Sequence, residues 1–186
     1  MKKSTFVLSL ITLFSSSAFA NKQGFYVGAD IGSNFVGSMY LDTNVGLTAG
    51  YDYQVSPKVV VGIEGEYRNL GQDNAAASAG NTHLSADIKA SSFGLNIKPK
   101  YYFSDQFYGA LIIGLHRYTY EEYWKIGNTE FGGKDKDNAF LFGTEAGYEI
   151  KNNVILRTGI KAATADLLGY KTDLGTVYFG VDYKFN

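Results

Sequence analysis

Two histidines, His83 and His116, are the candidates for a general base in this chain. A Ser-His-acid device needs a serine within hydrogen-bond reach of a histidine that a carboxylate orients. Leu84 follows His83 and Arg117 follows His116, so neither histidine has a serine beside it in the sequence. We therefore predict that the protein is not an enzyme, with no catalytic residue and no cofactor. A structural contact of His116 with Tyr118 or with a carboxylate is the interpretation that we favour.

A short acidic segment, GGKDKDN at residues 132–138, is the one place where clustered aspartates suggest a calcium site. It lacks the ligand spacing and the final glutamate of an EF-hand loop. We predict no metal site and interpret the segment as solvated. The chain has no cysteine, so disulfides do not hold the fold together.

Strands are the elements that must position these side chains. Eight stretches have apolar residues at every second position, the pattern of a strand with one apolar face. Glycine recurs inside nearly all of them, which disfavours a helix. The predicted strands cover residues 24–33, 43–53, 59–69, 93–103, 107–118, 139–150, 154–162 and 176–185.

The connections between the predicted strands alternate in length. Strands two, four and six are followed by QVSPK, SDQ and KNN, whereas the connections after odd strands are long, above all 70–92 and 119–138. Transmembrane barrels have short periplasmic turns and longer extracellular loops. The alternation predicts an all-β fold, an eight-stranded antiparallel transmembrane β-barrel in up-and-down meander order, with both termini in the periplasm.

The face opposite the apolar one carries charges of both signs. Its seven acids are Asp30, Asp52, Glu64, Glu66, Glu145, Glu149 and Asp182, and its six bases are Arg68, Lys98, Lys100, Arg157, Lys161 and Lys184. An eight-stranded barrel is just wide enough for interior side chains to fill it. The near balance of sign therefore predicts ion pairing across a plugged lumen. The predicted lumen charge network consists of Glu64, Glu66, Arg68, Lys98, Glu145, Arg157 and Lys161.

Aromatic residues gather at the two ends of the apolar face. Near the predicted short turns or the termini lie Tyr53, Tyr101, Phe103, Phe107, Tyr148, Tyr183 and Phe185, and near the long connections lie Tyr67, Phe93 and Phe140. Two such girdles are typical of membrane interfaces. The alternative is a soluble periplasmic β-barrel that packs its apolar face into a core. Packing in such a core would not concentrate the aromatic residues at the two ends of the strands.

The first twenty residues, MKKSTFVLSLITLFSSSAFA, have the pattern of a secretory signal peptide. Lys2 and Lys3 precede a short apolar run, and Ala18-Phe19-Ala20 is an A-x-A cleavage site. The run is about half of the ~20 residues that a membrane-spanning helix needs. We predict a cleaved signal peptide over residues 1–20 and a single barrel domain over residues 21–186.

GFYVGADIGSN near the predicted mature start and VYFGVDYKF near the end resemble the first and last strands of small OmpA-like outer-membrane barrels. That family includes the opacity-protein-like surface antigens of Gram-negative bacteria. The resemblance implies an outer-membrane location and contact with membrane lipid and lipopolysaccharide, and we predict a monomer. Phe179, Tyr183 and Phe185 resemble the signal that the outer-membrane assembly machinery reads, although Asn186 follows them where family members commonly end on the aromatic residue.

Function is expected to depend on the connections, because barrel strands need only satisfy lipid and lumen. We predict a structural or surface-interaction role, in which 70–92 and 119–138 contact an unidentified extracellular partner. The candidate contacts are Tyr123, Trp124 and Phe131, although Trp124 could equally lie in the outer headgroups. The net charge of −1 gives no support for a nucleic-acid partner. The alternatives are a narrow porin that passes small solutes and, less favoured, a lipid A-modifying enzyme. The His-Ser pair typical of barrel-type lipid A deacylases is missing.

Overall fold

The described chain consists of β-strands and the turns between them. The computed structural model describes residues 22–36, 39–79, 82–126, 129–151, 153–167 and 170–185. The predicted signal peptide at residues 1–20 lies outside this range and stays a prediction. No helix in the described ranges could span a membrane.

The strands form one closed antiparallel ring in sequence order. Pairing of β1 with β8 closes it, from Phe25 opposite Phe185 to Val36 opposite Leu174. The predicted eight-stranded up-and-down barrel is confirmed. The strands are β1 (Gly24–Val36), β2 (Met39–Ser56), β3 (Val59–Ala79), β4 (Thr82–Tyr102), β5 (Phe107–Ile126), β6 (Thr129–Lys151), β7 (Val154–Leu167) and β8 (Tyr170–Phe185).

The two ends of the barrel differ in their connections. We call the end at which Gly24 and Phe185 lie the terminal end, and the opposite one the distal end. At the terminal end short connections join the strands, as the sequence predicts, although β2 runs to Ser56 and leaves only 57–58 of the predicted QVSPK. The second connection covers 103–106, and the third lies between Lys151 and Val154. The hydroxyl of Ser104 accepts a hydrogen bond from the backbone N–H of Phe107 at 3.1 Å, which fixes the tight turn between β4 and β5.

The segments predicted as the longest loops, 70–92 and 119–138, are strands in all the parts that the structure describes, namely 70–79, 82–92, 119–126 and 129–138. The hairpin of β3 and β4 stays paired up to Ala79 opposite Thr82, and that of β5 and β6 up to Ile126 opposite Thr129. The prediction of loops was wrong because the apolar alternation stops where both faces of a sheet meet water. Backbone hydrogen bonding continues there without any trace in hydropathy.

These four strands form one sheet that rises beyond the barrel, because β4 and β5 also pair, as far as Leu84 opposite Ile126. The flanking pairings end lower: β2 with β3 at Val45 opposite Asn69, and β6 with β7 at Leu141 opposite Ala163. We call residues 70–79, 82–92, 119–126 and 129–138 the extension. It is a continuation of one side of the barrel wall.

The inward and outward side chains of the barrel are arranged in the opposite way to those of a soluble protein. The outward face is apolar and exposed: Ile63 is 62% exposed and Leu111 is 56% exposed. The inward face is charged and buried, and Glu64 and Lys98 are completely buried. Lipid is the solvent that fits an exposed apolar band of this kind, so the soluble alternative has no support.

Inward-facing glycines make room for large polar side chains inside the barrel. A Cβ added at Gly147 would lie 2.2 Å from the ring of Tyr108, and one at Gly28 would lie 1.9 Å from the carboxylate of Asp182. Both distances are far below van der Waals contact, so no larger residue fits either position without a shift of its neighbour. The glycines that weaken a helix prediction therefore serve to pack the lumen.

Candidate functional site

Arg157 lies at the centre of the charged lumen. Its guanidinium donates to Asp182 at 2.6 Å and to Asp30 at 2.9 Å, and it lies 3.5 Å from Glu145. The three acids come from β8, β1 and β6, and the guanidinium can serve them together because its five N–H groups point in fixed directions. Arg157 thereby connects strands that are not neighbours in the sheet.

Lys98 bridges two acids from opposite sides of the barrel. Its ammonium lies 3.1 Å from Glu64 and 2.9 Å from Glu145. Tyrosine hydroxyls complete the coordination of both carboxylates: Tyr26 donates to Glu64 at 3.0 Å, and Tyr178 donates to Glu145 at 2.6 Å. These buried charges are thus both paired and hydrogen-bonded, which is the condition for keeping ions out of water.

Glu66 links the remaining bases of the predicted network. Its carboxylate accepts from Lys161 at 2.7 Å and from Arg68 at 3.0 Å. Arg68 reaches on to Asp30 at 2.6 Å, and Asn96 donates to both Glu66 and Glu64 at 2.8 and 3.1 Å. The contacts therefore close into one continuous circuit around the lumen, which we call the central network.

The structure brings together all seven residues of the predicted lumen charge network. Sequence reasoning placed Asp30 and Asp182 on the inward face but left them out of this group, although both bond Arg157. It overlooked Asn96 and the tyrosines Tyr26, Tyr108 and Tyr178 altogether. The period-2 alternation that assigned the charged residues to the lumen also assigns these four uncharged residues to it. The same pattern could therefore have identified them.

A second cluster of ion pairs lies toward the terminal end. Asp52 accepts from Lys100 and Lys184, both at 2.9 Å, and Lys184 lies 3.6 Å from Glu149. The hydroxyl of Tyr102 donates to Glu149 at 2.9 Å. The lumen is thus filled with paired charges below the central network as well as within it.

Toward the distal end the central network is covered by a layer of apolar and aromatic side chains. The layer includes Leu70, Tyr118, Leu141, Ala163 and Leu174, all buried. A cavity of about 10 Å³ lies between this layer, Glu66 and Lys161. That is about the smallest space that can hold one water.

His116 is a buried lumen residue without a serine partner. Its Nε2 lies 2.9 Å from the amide oxygen of Asn96, and its ring lies 6.2 Å from that of Tyr118. The expected neighbour Tyr118 is present, while the hydrogen-bond partner is an amide rather than a carboxylate. The side chain of His83 lies outside the described residues. Among the residues that the structure describes, no cluster of His, Asp and Glu could hold a metal ion.

The three candidate contact aromatics lie in the extension, but not on one face. Trp124 pairs with Phe131 across β5 and β6, on the face that continues the inner wall, whereas Tyr123 pairs with Gly132 on the outward face. All three are exposed, at 53% for Tyr123, 40% for Trp124 and 56% for Phe131. They line one groove of about 500 Å³, together with Ser85, Asp87, Lys125 and Gly132.

An ion pair crosses β5 and β6 on the outward face of the extension. The ammonium of Lys134 donates a hydrogen bond to Glu121, which lowers the pKa of that carboxyl and raises the pKa of the lysine. The positive charges of Lys89 and Lys136 lower the pKa of Glu121 further. Three ammonium groups therefore surround one carboxylate at this position.

The predicted assembly signal lies on the outward face of β8. Phe179, Tyr183 and Phe185 are about half exposed. The rings of Tyr183 and Phe185 pack edge to face at 5.1 Å, and their strand closes the barrel against β1. The structure places the three residues at the seam of the barrel, and their reading by the assembly machinery stays a prediction.

A closed ring of eight strands with an exposed apolar outer wall and a charged, buried interior defines a transmembrane β-barrel. The family model of the outer membrane protein beta-barrel domain matches residues 6–185, and the chain belongs to this family. The resemblance to small outer-membrane barrels is confirmed, and the family indicates that the protein lies in the outer membrane.

Solved structures of small outer-membrane proteins share this fold. The attachment invasion locus protein Ail of Yersinia pestis is 12% identical, with 88% of this chain and 97% of that chain covered and a TM-score of 0.58. Neisserial surface protein A is 17% identical (87% and 97% covered, TM-score 0.60), and OprG from Pseudomonas aeruginosa is 14% identical (91% and 100% covered, TM-score 0.51). At these identities the likeness shows the fold alone. No curated protein sequence matches the chain.

Proposed function

We propose that this outer-membrane barrel is a surface-interaction protein whose extension carries the contact site for an extracellular partner. The short turns at the terminal end favour a periplasmic position for that end and an extracellular one for the extension. The observation that carries the proposal is the groove lined by Tyr123, Trp124 and Phe131. Large exposed aromatics are the residues that most often dominate the energy of protein–protein contacts.

The paired strands of the extension also favour a binding role. A loop that becomes ordered on binding loses conformational entropy, and a pre-organised sheet avoids most of that cost. Trp124 and Phe131 lie opposite each other on adjacent strands, so their rings are presented together rather than on two independent loops. The central network supports the extension from below, because β3, β4, β5 and β6 all contribute side chains to it.

The test removes the extension without touching the barrel. Residues 73–88 and 122–133 are each replaced by an Asn-Gly turn, which favours a two-residue hairpin and keeps the register of the remaining strands. Bacteria that express the shortened protein are expected to lose the adhesion or serum survival that the full chain confers. Heat-modified gel migration and surface labelling check that the barrel still assembles.

The double variant Trp124→Ala/Phe131→Ala tests whether the groove itself is responsible for adhesion. It is expected to lose adhesion at least tenfold, while the matched variant Tyr67→Ala/Phe93→Ala, which removes two aromatics from the outer girdle, keeps it. Adhesion that survives both the shortened hairpins and the double variant would contradict the proposal.

The narrow-porin alternative is tested by conductance. Pores that select ions carry rings of one sign, whereas Arg157, Lys98 and Glu145 are paired with each other or with further groups in the central network. We expect at most small, flickering currents in planar bilayers. A large and stable open channel from the unmodified protein would favour the porin.

The proposal contains no catalytic step. His116 bonds the amide of Asn96, which neither accepts a proton nor orients a nucleophile as a carboxylate does. A lipid A-modifying activity would need another nucleophile and base, and we therefore assign none of the lumen residues a catalytic role.

A further inference from the structure

Charges on the extension are sorted by face. Among the described side chains, the outward face, which continues the lipid-facing wall, carries the bases Lys89, Lys125, Lys134 and Lys136 against the acids Asp87 and Glu121. The opposite face carries the acids Glu122, Asp135 and Asp137 and, among its described side chains, no base. A solvated hairpin has no need for such sorting, because water surrounds both of its faces.

The bases on the outward face converge near its lower edge. Lys89 and Lys134 lie on either side of Glu121 in the strand register, and Lys136 lies one step closer to the barrel, opposite Thr119. Glu121 pairs with Lys134, and Asp87 lies 3.7 Å from the ammonium of Lys89, so these two acids neutralise two of the three positive charges. Arg117 lies lower still, directly opposite the girdle residue Phe93, and it is exposed. The net charge of this area is therefore positive.

A groove of about 280 Å³ opens beside these lysines on the outward side. Its lining includes Tyr67, Asn69, Lys89, Ser91, Thr119 and Glu121. The groove lies where a β-bulge between Asn69 and Gly71 shifts the register of β3 against β4. Gly71 has a φ of 121°, a conformation that favours glycine, and its N–H donates to the side chain of Asn69 at 3.0 Å. The groove thus brings the amide of Asn69 and the hydroxyls of Ser91 and Thr119 next to Lys89.

The height of this area matches the headgroup layer of the outer leaflet. Lys89 lies four residues beyond Phe93, which is about 13 Å along the strand and less along the membrane normal when the strand is tilted. Tyr67 belongs both to the outer aromatic girdle and to the groove, so the groove begins where the apolar band ends. Lys136 and Arg117 lie lower than Lys89, and basic side chains close to a membrane are attracted by its anionic surface.

We propose that the outward face of the extension binds the phosphorylated glycolipid of the outer leaflet, lipid A. The ammonium groups of Lys89, Lys134 and Lys136 contact its phosphates, and the polar groove beside Tyr67 holds part of its sugar. The acidic opposite face cannot bind the same headgroup, so the contact fixes which way the extension leans. This inference is independent of the extracellular partner proposed above.

The test compares the stability of the full barrel in three kinds of phosphatidylcholine vesicle: plain, with bisphosphorylated lipid A, and with dephosphorylated lipid A. Bisphosphorylated lipid A is expected to raise the urea midpoint of unfolding, and dephosphorylated lipid A to raise it by less than half as much. The triple variant Lys89→Gln/Lys134→Gln/Lys136→Gln is expected to lose most of the shift. In plain vesicles its midpoint should stay within error of the unmodified protein, because all three side chains are exposed.

Two controls separate this site from general attraction of charge. The matched variant Lys58→Gln/Lys171→Gln removes charges from the terminal turn and from β8, and it is expected to keep the full shift. Inorganic phosphate at millimolar concentration, added to plain vesicles, is expected to cause none. An equal loss in both lysine variants, or a shift with free phosphate alone, would overturn the assignment. If the triple variant fails to fold, Lys136→Gln alone must still lower the shift.

Discussion

Replacing Arg157 by alanine is expected to destabilise the folded barrel by about 3–5 kcal/mol, the typical cost of removing one partner from a buried ion pair. The guanidinium is completely buried and contacts three carboxylates, from Asp30, Asp182 and Glu145. Without it, Asp182 loses its charged partner, and Glu145 and Asp30 keep only Lys98 and Arg68. The folded barrel loses stability because the substitution leaves buried carboxylates without a cation.

Urea unfolding in lipid vesicles, followed by tryptophan fluorescence and by heat-modified gel migration, measures the effect. The matched control is Arg117→Ala, which removes an exposed guanidinium that donates a hydrogen bond to the side chain of Asn138 at 3.1 Å. It is expected to cost less than about 1 kcal/mol. Arg157→Lys keeps the charge but not the planar fork, so we expect an intermediate loss. A midpoint for Arg157→Ala equal to that of Arg117→Ala would show that the central network does not hold the strands together.

An arginine in the middle of the apolar band is expected to cost about 2–4 kcal/mol. Leu111 and Ile63 are exposed on the outward face, near the middle of the membrane parts of β5 and β3, residues 107–118 and 59–69. Leu111→Arg and Ile63→Arg should therefore fold into phosphatidylcholine vesicles in lower yield than the unmodified chain. The physical reason is that lipid cannot solvate the guanidinium, which must reach the headgroups or draw water inward.

Ser85→Arg is the control for this experiment, because Ser85 is exposed on the same outward face but lies in the extension, beyond the membrane. It should fold like the unmodified protein. Thr48→Arg is unsuitable as a control, since Thr48 is buried in the lumen with its hydroxyl 3.3 Å from Arg157. If Ser85→Arg reduced the yield as much as Leu111→Arg, the band would not be the surface in contact with lipid.

The lumen and the extension are two structurally different parts of the molecule. Paired charges fill the described part of the barrel, and a layer of apolar and aromatic side chains covers them toward the distal end. The extension rises from β3, β4, β5 and β6, which carry Glu66, Lys98, Tyr108 and Glu145 of the central network. A base of this kind suits the two roles that we propose for the extension, contact with lipid A on one face and an aromatic groove for a partner.

The sequence by itself determined the barrel: eight strands, their terminal ends and the face of each side chain. Successive residues of a barrel strand face the lipid and the polar lumen in turn. Apolar and polar residues therefore alternate along the strand with a period of two. This is why Glu64, Glu145 and Arg157 could be assigned to the lumen, and Phe179 and Tyr183 to the outer wall, before any contact was known.

Only the tertiary structure decided which inward residues touch. Asp30 and Arg157 are 127 positions apart, and alternation gives each side chain a face but no partner across the lumen. The extension was also hidden, because the alternation of apolar with polar residues, which marks a strand in the membrane, ends where the extension begins. There the continuous register of β5 against β6 places Tyr123 and Trp124 on opposite faces of one sheet. Hydropathy records the solvent at each position, whereas backbone pairing and contacts across the barrel depend on where the other strands lie.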